Sequence, residues 1–548
     1  MIVTLLSWIY IFVICFLCGL TVLSVLERFF KFSTDSPDVV LVTGICFSTV
    51  YAEVWSIFGP VSLLPNVVLM VLALVSAVLN RLRLKEYFSE VKNSRGFLIR
   101  TILAAIFFSA LSSEIPSDYD TYLYHAQSIA WIEKFGCVLG QANLHNRFGY
   151  NSAFMCLQAL FSLSFAGRSL HQMNGFLSLF MTVFAVESLL SKKGKESEAK
   201  DIVCFSALFY ILFMIPSISS PGSDMMTMLL LLYLFAKWAD LNRKGIRIGV
   251  SYGYLAMLAL FLSTVKLSAA PVFLLAVYPV YLLIREKRVS DIAKFICLGT
   301  VIVIPFIIRN VIISGYLLYP MESIDLFNVD WKVPAGVAVT DRNDITAFGR
   351  AVNDIEGPVK LTGWIQIWFR NLEFIPRLLF CVAVFSLCVF AVVLLRQLLK
   401  KEQYEKKSLF TALVSAVTFF YWFLTAPTMR YGIVIVLLLS ALVFGLYISG
   451  EGRKAYIVFM EICALVILLS YSGEYLRKNI NLVFPEDYAS FECREVVLTK
   501  DGAEVTIYTP VEGDRAGIDV FPATPEINPD YTELRGKSMK DGFRAIKQ

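Results

Sequence analysis

The sequence predicts an all-α polytopic membrane protein of about fourteen spanning helices, and three observations predict it. Apolar runs of about 17 to 25 residues, each long enough to cross a bilayer, recur along most of the 548 residues. The composition is 57% hydrophobic with a mean hydropathy of +0.67, more apolar sequence than a soluble core needs. Only 17% of residues are charged, and they gather in short clusters between the runs, as loops do when lipid is the solvent around the helices. The net charge of +5 therefore reflects topology and points to no nucleic-acid partner; the partner implied is the lipid bilayer.

The first run, 2–26, has no basic residue ahead of it and no small-residue cleavage pattern, so it reads as a span rather than a leader. Further spans are expected at 37–57, 61–80, 97–113, 172–190, 201–216, 225–240, 248–264, 268–284, 294–312, 376–396, 408–425, 431–449 and 455–472. Basic clusters mark cytoplasmic ends: Arg81, Arg83, Lys85, Lys92 and Arg95; Lys192, Lys193 and Lys195; Arg243, Lys244 and Arg247; Arg285, Lys287 and Arg288; Arg396, Lys400, Lys401, Lys406 and Lys407; Arg453 and Lys454. Counting 151–166 as a span would put the 192–195 lysines outside, so that stretch is expected to be an interfacial or re-entrant helix. An even count leaves both termini outside, and the location implied is a cell inner membrane.

Residues 1–472 then form the membrane domain, with a first outer loop at 112–170 and a second at 314–376; 473–548 form an extracytoplasmic tail. The tail turns polar, and its alternating runs from Glu495 to Tyr508 around Asp501-Gly502 predict a β-hairpin appendage. Most of the 11 cysteines sit inside apolar runs as small hydrophobes, while Cys137 and Cys493 fall outside, either paired or as two free thiols.

Chemistry concentrates in the first outer loop. Ser113-Glu114-Ile-Pro-Ser-Asp118-Tyr-Asp120 places carboxylates directly after a span, and from Thr121 the pattern turns helical, so that Asp120, Tyr124 and Gln127 are expected on one face. Asp120 or Ser117 as a plain helix cap is the bland alternative. Against it stands the crowding of Glu114, Asp118, Asp120, His125, His145 and Arg147, with all 3 histidines between His125 and His171. No two histidines have ligand spacing on one helix, so no metal residues are assigned; a divalent cation is the one cofactor this loop leaves open.

An acidic Asp-x-x-x-Tyr motif in the first outer loop, here Asp120 to Tyr124, followed by an interfacial helix that runs into a span around 159–170, resembles the GT-C superfamily of membrane glycosyltransferases. The stretches 304–320 (Ile-Pro-Phe-Ile-Ile-Arg309-Asn310 onward) and 264–271 (Thr-Val-Lys266 onward) are similar to the same group. Asp118-Tyr-Asp120, residues 143–151, Ala426-Pro427-Thr-Met-Arg430-Tyr431 and 534–543 together resemble a narrower, functionally uncharacterised bacterial family associated with cell-envelope polysaccharide. These resemblances imply a polyprenyl-phosphate-linked sugar donor, a glycan or lipid-linked acceptor, and inversion at the anomeric carbon.

The chemistry itself asks for a base at the acceptor hydroxyl and a cation at the departing phosphate. Asp120 is the candidate base, with Asp118 beside it to raise its pKa. Arg147, Lys266, Arg309 and Arg430 are candidate phosphate holders, because unpaired charge beside apolar sequence is costly. Tyr124, His125, His145, Asn310 and Tyr431 complete the candidate substrate-binding set. Trp131, Trp364, Trp368, Phe369, Trp422 and Tyr122 suit an interfacial aromatic belt better than sugar stacking. Two rival functions remain: a polymerase or ligase acting on carrier-diphosphate glycans through Arg430 and Arg309, and a glycolipid transporter needing no base.

Overall fold

The computed structural model describes residues 1–546 except 35, 192–197, 246–247, 354–361, 401, 476–480 and 528. Lys192, Lys193, Lys195, Arg247 and Lys401 of the basic clusters lie outside the described residues.

Helices carry the chain: α1 (Ile2–Phe30), α2 (Pro37–Phe58), α3 (Leu63–Leu79), α4 (Arg81–Asn93), α5 (Arg95–Ser112), α6 (Ala126–Lys134), α7 (Ala153–Phe161), α8 (Met173–Leu190), α9 (Glu198–Phe213) and α10 (Asp224–Arg243). They continue as α11 (Gly249–Val265), a 3-10 stretch (Leu267–Ala276) running into α12 (Val277–Arg285), α13 (Val289–Ser314), α14 (Ala335–Gly349), α15 (Gly363–Asn371), α16 (Phe374–Leu398), α17 (Lys406–Thr425), α18 (Met429–Leu446) and α19 (Glu451–Tyr475).

Every segment expected to span is helical, and among the described residues 10 helices are long and apolar enough to cross a bilayer. The others fall short for separate reasons. α9 and α11 have only 16 and 17 residues, α10 carries Asp224, Lys237, Asp240 and Arg243, and α3 qualifies only together with α4, from which it bends by 84°.

α10 and α18 form the middle of the bundle, apolar and buried on nearly every side. α3, α5, α16 and α19 instead turn broad apolar faces outward, the faces lipid would cover. α1 and α2 approach closely because glycines meet at the contact: a Cβ on Gly44 would lie 1.7 Å from the Cys15 carbonyl oxygen. The stretch around 151–166 forms α7, nine residues and too short to span, but it is buried on every side rather than lying with one face exposed at an interface.

The tail carries the expected hairpin, β1 (Cys493–Lys500) and β2 (Ala503–Pro510), paired antiparallel from Cys493↔Pro510 to Lys500↔Ala503. Asp501 and Gly502 both take positive φ, as a two-residue hairpin turn requires. β3 (Thr532–Leu534) pairs with β4 (Phe543–Ala545) in a second small sheet.

The tail is no appendage. Leu498, Val505, Ile507, Leu534 and Phe543 share a core with Trp131, Val138, Leu144 and Phe148 of the first loop. The Gln127 side-chain nitrogen donates to the Gly517 and Val520 carbonyls, and its oxygen accepts from Ala523 N–H. The amide of Phe543 donates to the Leu139 carbonyl, Arg535 pairs with Asp330 of the second loop, and the first helix begins by donating from Ile2 and Val3 to Leu482 and Val483. Both loops, the tail and the N-terminus therefore meet at one end of the bundle.

Candidate active site

The segment after α5 is drawn across that end by the turn before α10. Both Ser117 and Asp118 donate their amides to Ser220 Oγ, at 3.1 and 3.0 Å, while Ser217 Oγ donates to Asp118 Oδ1 at 2.7 Å. Asn174 pins the same turn by donating to the Ser220 and Gly222 carbonyls. Helix begins at Tyr119, and Thr121–His125 within it is a π-turn, a widened form frequent at functional sites. The widened turn separates what an α-helix would align: Gln127 faces the tail, and Asp120 faces α18.

Asp120 makes no capping hydrogen bond, and the Ser117 hydroxyl donates instead to the Pro216 carbonyl. The Asp120 carboxylate meets Arg430 NH1 at 2.9 Å. Arg430 Nε reaches Asp224 Oδ2 at 2.7 Å, and the other oxygen of Asp224 is bound by Lys266. Lys266 Nζ also lies 3.8 Å from the centre of the Tyr431 ring, a cation–π contact. Four charges thus alternate in sign along a chain drawn from the first loop, α10, the end of α11 and α18.

Around this chain, the Tyr124 ring lies 4.3 Å from His125 and 5.8 Å from Tyr150. His125 is buried against Gly222, with its Nδ1 unpartnered among the described residues. Arg147 donates to the Tyr150 hydroxyl, which donates in turn to Asp341 of α14, fastening the second loop over the first.

Electrostatics divides the two carboxylates. Burial raises Asp118, outweighing the Ser217 hydrogen bond and the nearby Arg430. Burial pushes Asp120 the same way but is overcome, chiefly by Arg430 and with help from Arg147, so its carboxyl falls below the ordinary range. The expected lift of Asp120 by Asp118 therefore does not appear, and Asp118 rises mainly through burial, with Asp120 the smallest contributor. Burial also lowers His125 to about 3 and His145 to about 4, so both are neutral near pH 7.

Asp118, Asp120, Tyr124, His125, Lys266, Arg430 and Tyr431 gather here, and Arg147 acts on Asp120 through space. His145 accepts from the Arg147 amide, capping a short 3-10 turn, and its ring meets Phe148 edge-on. Arg309 and Asn310 do not join them. Arg309 is 2% exposed, donating to Asn151, Ser56 and Cys137 and interacting with Glu53, so it clamps α13 to α2 and the first loop rather than facing a phosphate. The side chain of Asn310 donates to the Phe306 carbonyl within its own helix.

Cys137 and Cys493 are free thiols. Tyr122, Trp131, Trp364, Trp368 and Trp422 are packed inside the protein, which removes them from both belt and sugar-stacking roles. Of the second loop's polar residues, Asp354 and Glu356 lie outside the described residues. Among the described residues no three His, Cys, Asp or Glu side chains gather as a metal site.

Asp224 is the residue sequence reasoning missed. Its signal was available: a carboxylate opening an apolar run, after a turn with few charges, needs a cationic partner.

The family comparison matches residues 1–437 to a domain of unknown function, DUF8201. The chain belongs to that family. Its matched region includes every member of the charged chain and ends within α18, before the tail. No curated protein and no solved structure matches the sequence.

Proposed function

We propose that this DUF8201 protein is a GT-C-type membrane glycosyltransferase. It spans an inner membrane about fourteen times with both termini outside, and moves a sugar from a polyprenyl-phosphate carrier to an envelope glycan or lipid-linked acceptor. The observation that carries the reading is the juxtaposition, at the polar end of an apolar bundle, of an elevated carboxyl at Asp118 with cations at Arg430 and Lys266.

In this reaction Asp118 takes the proton of the acceptor hydroxyl, whose oxygen attacks the anomeric carbon. The bond from that carbon to the phosphate oxygen breaks from the opposite face, and the phosphate leaves with the electron pair. Arg430 and Lys266 stabilise its charge. Asp120 holds Arg430 in position until phosphate competes for the guanidinium. Both cations sharing Asp224 also suits a diphosphate leaving group, which keeps the polymerase or ligase as the second reading.

The test is transfer by the purified full-length protein in liposomes containing lipid-linked sugars extracted from host membranes. New glycosidic product with the native chain and none with Asp118→Asn is expected. Product formed equally by both chains contradicts the role of Asp118, and translocation of lipid-linked sugar without any new bond leaves a transporter.

A further inference from the structure

A second polar cleft opens at the same end, on the far side of the turn that holds Asp118. It encloses about 450 Å³, within the range of small-molecule sites. Pro116 and Ser219 line it, while the neighbouring Ser217 and Ser220 bind Asp118, so the turn separates the cleft from the charged chain.

A rigid polar wall is built into the cleft. Glu133 Oε1 meets His171 Nε2 at 3.1 Å, His171 Nδ1 meets the Tyr488 hydroxyl at 2.6 Å, and Ser169 Oγ donates to Glu133 Oε2 at 3.1 Å. The Glu133 and His171 side chains are 3% and 1% exposed, so the wall is fixed by packing before any ligand arrives. Gln172, another lining residue, is buried, and its Oε1 has no partner among the described residues. Buried acceptors of this kind ordinarily find a donor.

The charge balance narrows what that donor is. Among the described residues, five carboxylates (Glu114, Glu133, Glu486, Asp487 and Asp519) line the cleft against two cations, Lys134 and Arg168. Arg168 bonds Asp487 at 2.5 Å and the Pro485 carbonyl at 2.6 Å, and Lys134 sits 3.9 Å over the Phe521 ring. Carboxylates outnumber cations among the described lining residues, an arrangement that favours hydroxyl and amino groups over phosphate or carboxylate.

We propose that this cleft is a saccharide-binding site, taking a neutral or amino-bearing oligosaccharide and discriminating against anionic ones. The assignment does not depend on the transfer reaction at Asp118.

It is tested with the full-length protein in nanodiscs, measuring binding of maltotetraose, chitosan tetramer and trigalacturonate by saturation-transfer NMR and calorimetry. Saturable binding of maltotetraose or the chitosan tetramer is expected, at least tenfold tighter than trigalacturonate. Glu133→Gln and Gln172→Leu should each weaken it at least tenfold, while Arg430→Ala, outside the cleft, leaves it unchanged. If Glu133→Gln fails to fold, Gln172→Leu decides alone. The proposal is overturned if neither sugar binds saturably, if trigalacturonate binds as well, or if binding follows Arg430 and ignores the cleft substitutions.

Discussion

Arg430 is held by two carboxylates at once, Asp120 and Asp224, and still keeps 31% of its side chain exposed. A guanidinium in that state is oriented before a ligand arrives and can exchange one carboxylate for a phosphate. Arg430→Ala should therefore lower transfer by about 100- to 1000-fold, the cost of losing one preorganised donor to developing charge. Arg430→Lys should recover little, because an ammonium cannot bridge two carboxylates in the same plane; initial rates in liposomes check both. His125 supplies a pH prediction of opposite kind. Its folded-state value of about 3 lies below the ordinary 6.5, so between those values the unfolded chain carries a proton that the folded protein refuses. Stability thus falls as pH drops through that window, by about 2 kcal/mol from pH 6.5 to 5, with His145 acting in the same sense. The unfolding temperature of His125→Leu should depend less on pH than that of the native chain across pH 7 to 5. An equal dependence would mean His125 is charged in the fold. Asp118 and Asp120 were legible in the sequence because carboxylates bordering a span are conspicuous. Their division of labour was not, since it depends on Arg430, which arrives from a helix about three hundred residues away.

At the scale of elements, apolar run length located the helices well, because a bilayer imposes length and hydrophobicity together. Local geometry was less legible. The π-turn at Thr121–His125 leaves no periodic signature, and it turns Gln127 away from Asp120. α7 has nine residues, too few to span, and its all-round burial depends on α2, α6 and α8 closing around it, which its own sequence does not encode. The α1 to α2 contact offers a sharper test. Gly44→Ala forces a methyl into the Cys15 carbonyl, so a loss of about 1–3 kcal/mol is expected from overpacking. Melting of the purified variant in detergent reads this out, and an unchanged melt would mean the helices separate without cost.

Over the whole molecule, the two loops and the tail form one polar cap on the bundle. Hairpin alternation was readable in the tail, but its docking was not, because Gln127 and Trp131 reveal their partners only when the chain is folded. Gln127→Leu removes three hydrogen bonds to the tail and leaves backbone groups of residues 517, 520 and 523 without that partner, at about 1–3 kcal/mol each where they stay dry. Protease should then cleave the tail of this variant faster than that of the native chain, while the helices remain resistant. The family match ends within α18, so it covers the charged chain and both loops but not the tail. The most direct test of the proposed transfer is mass spectrometry of lipid-linked glycans in cells whose only copy carries Asp118→Asn. Accumulation of one carrier-linked donor together with an acceptor lacking a single sugar is expected. A lipid-linked glycan profile identical to that of native cells, with the variant present in the membrane at native levels, would contradict it.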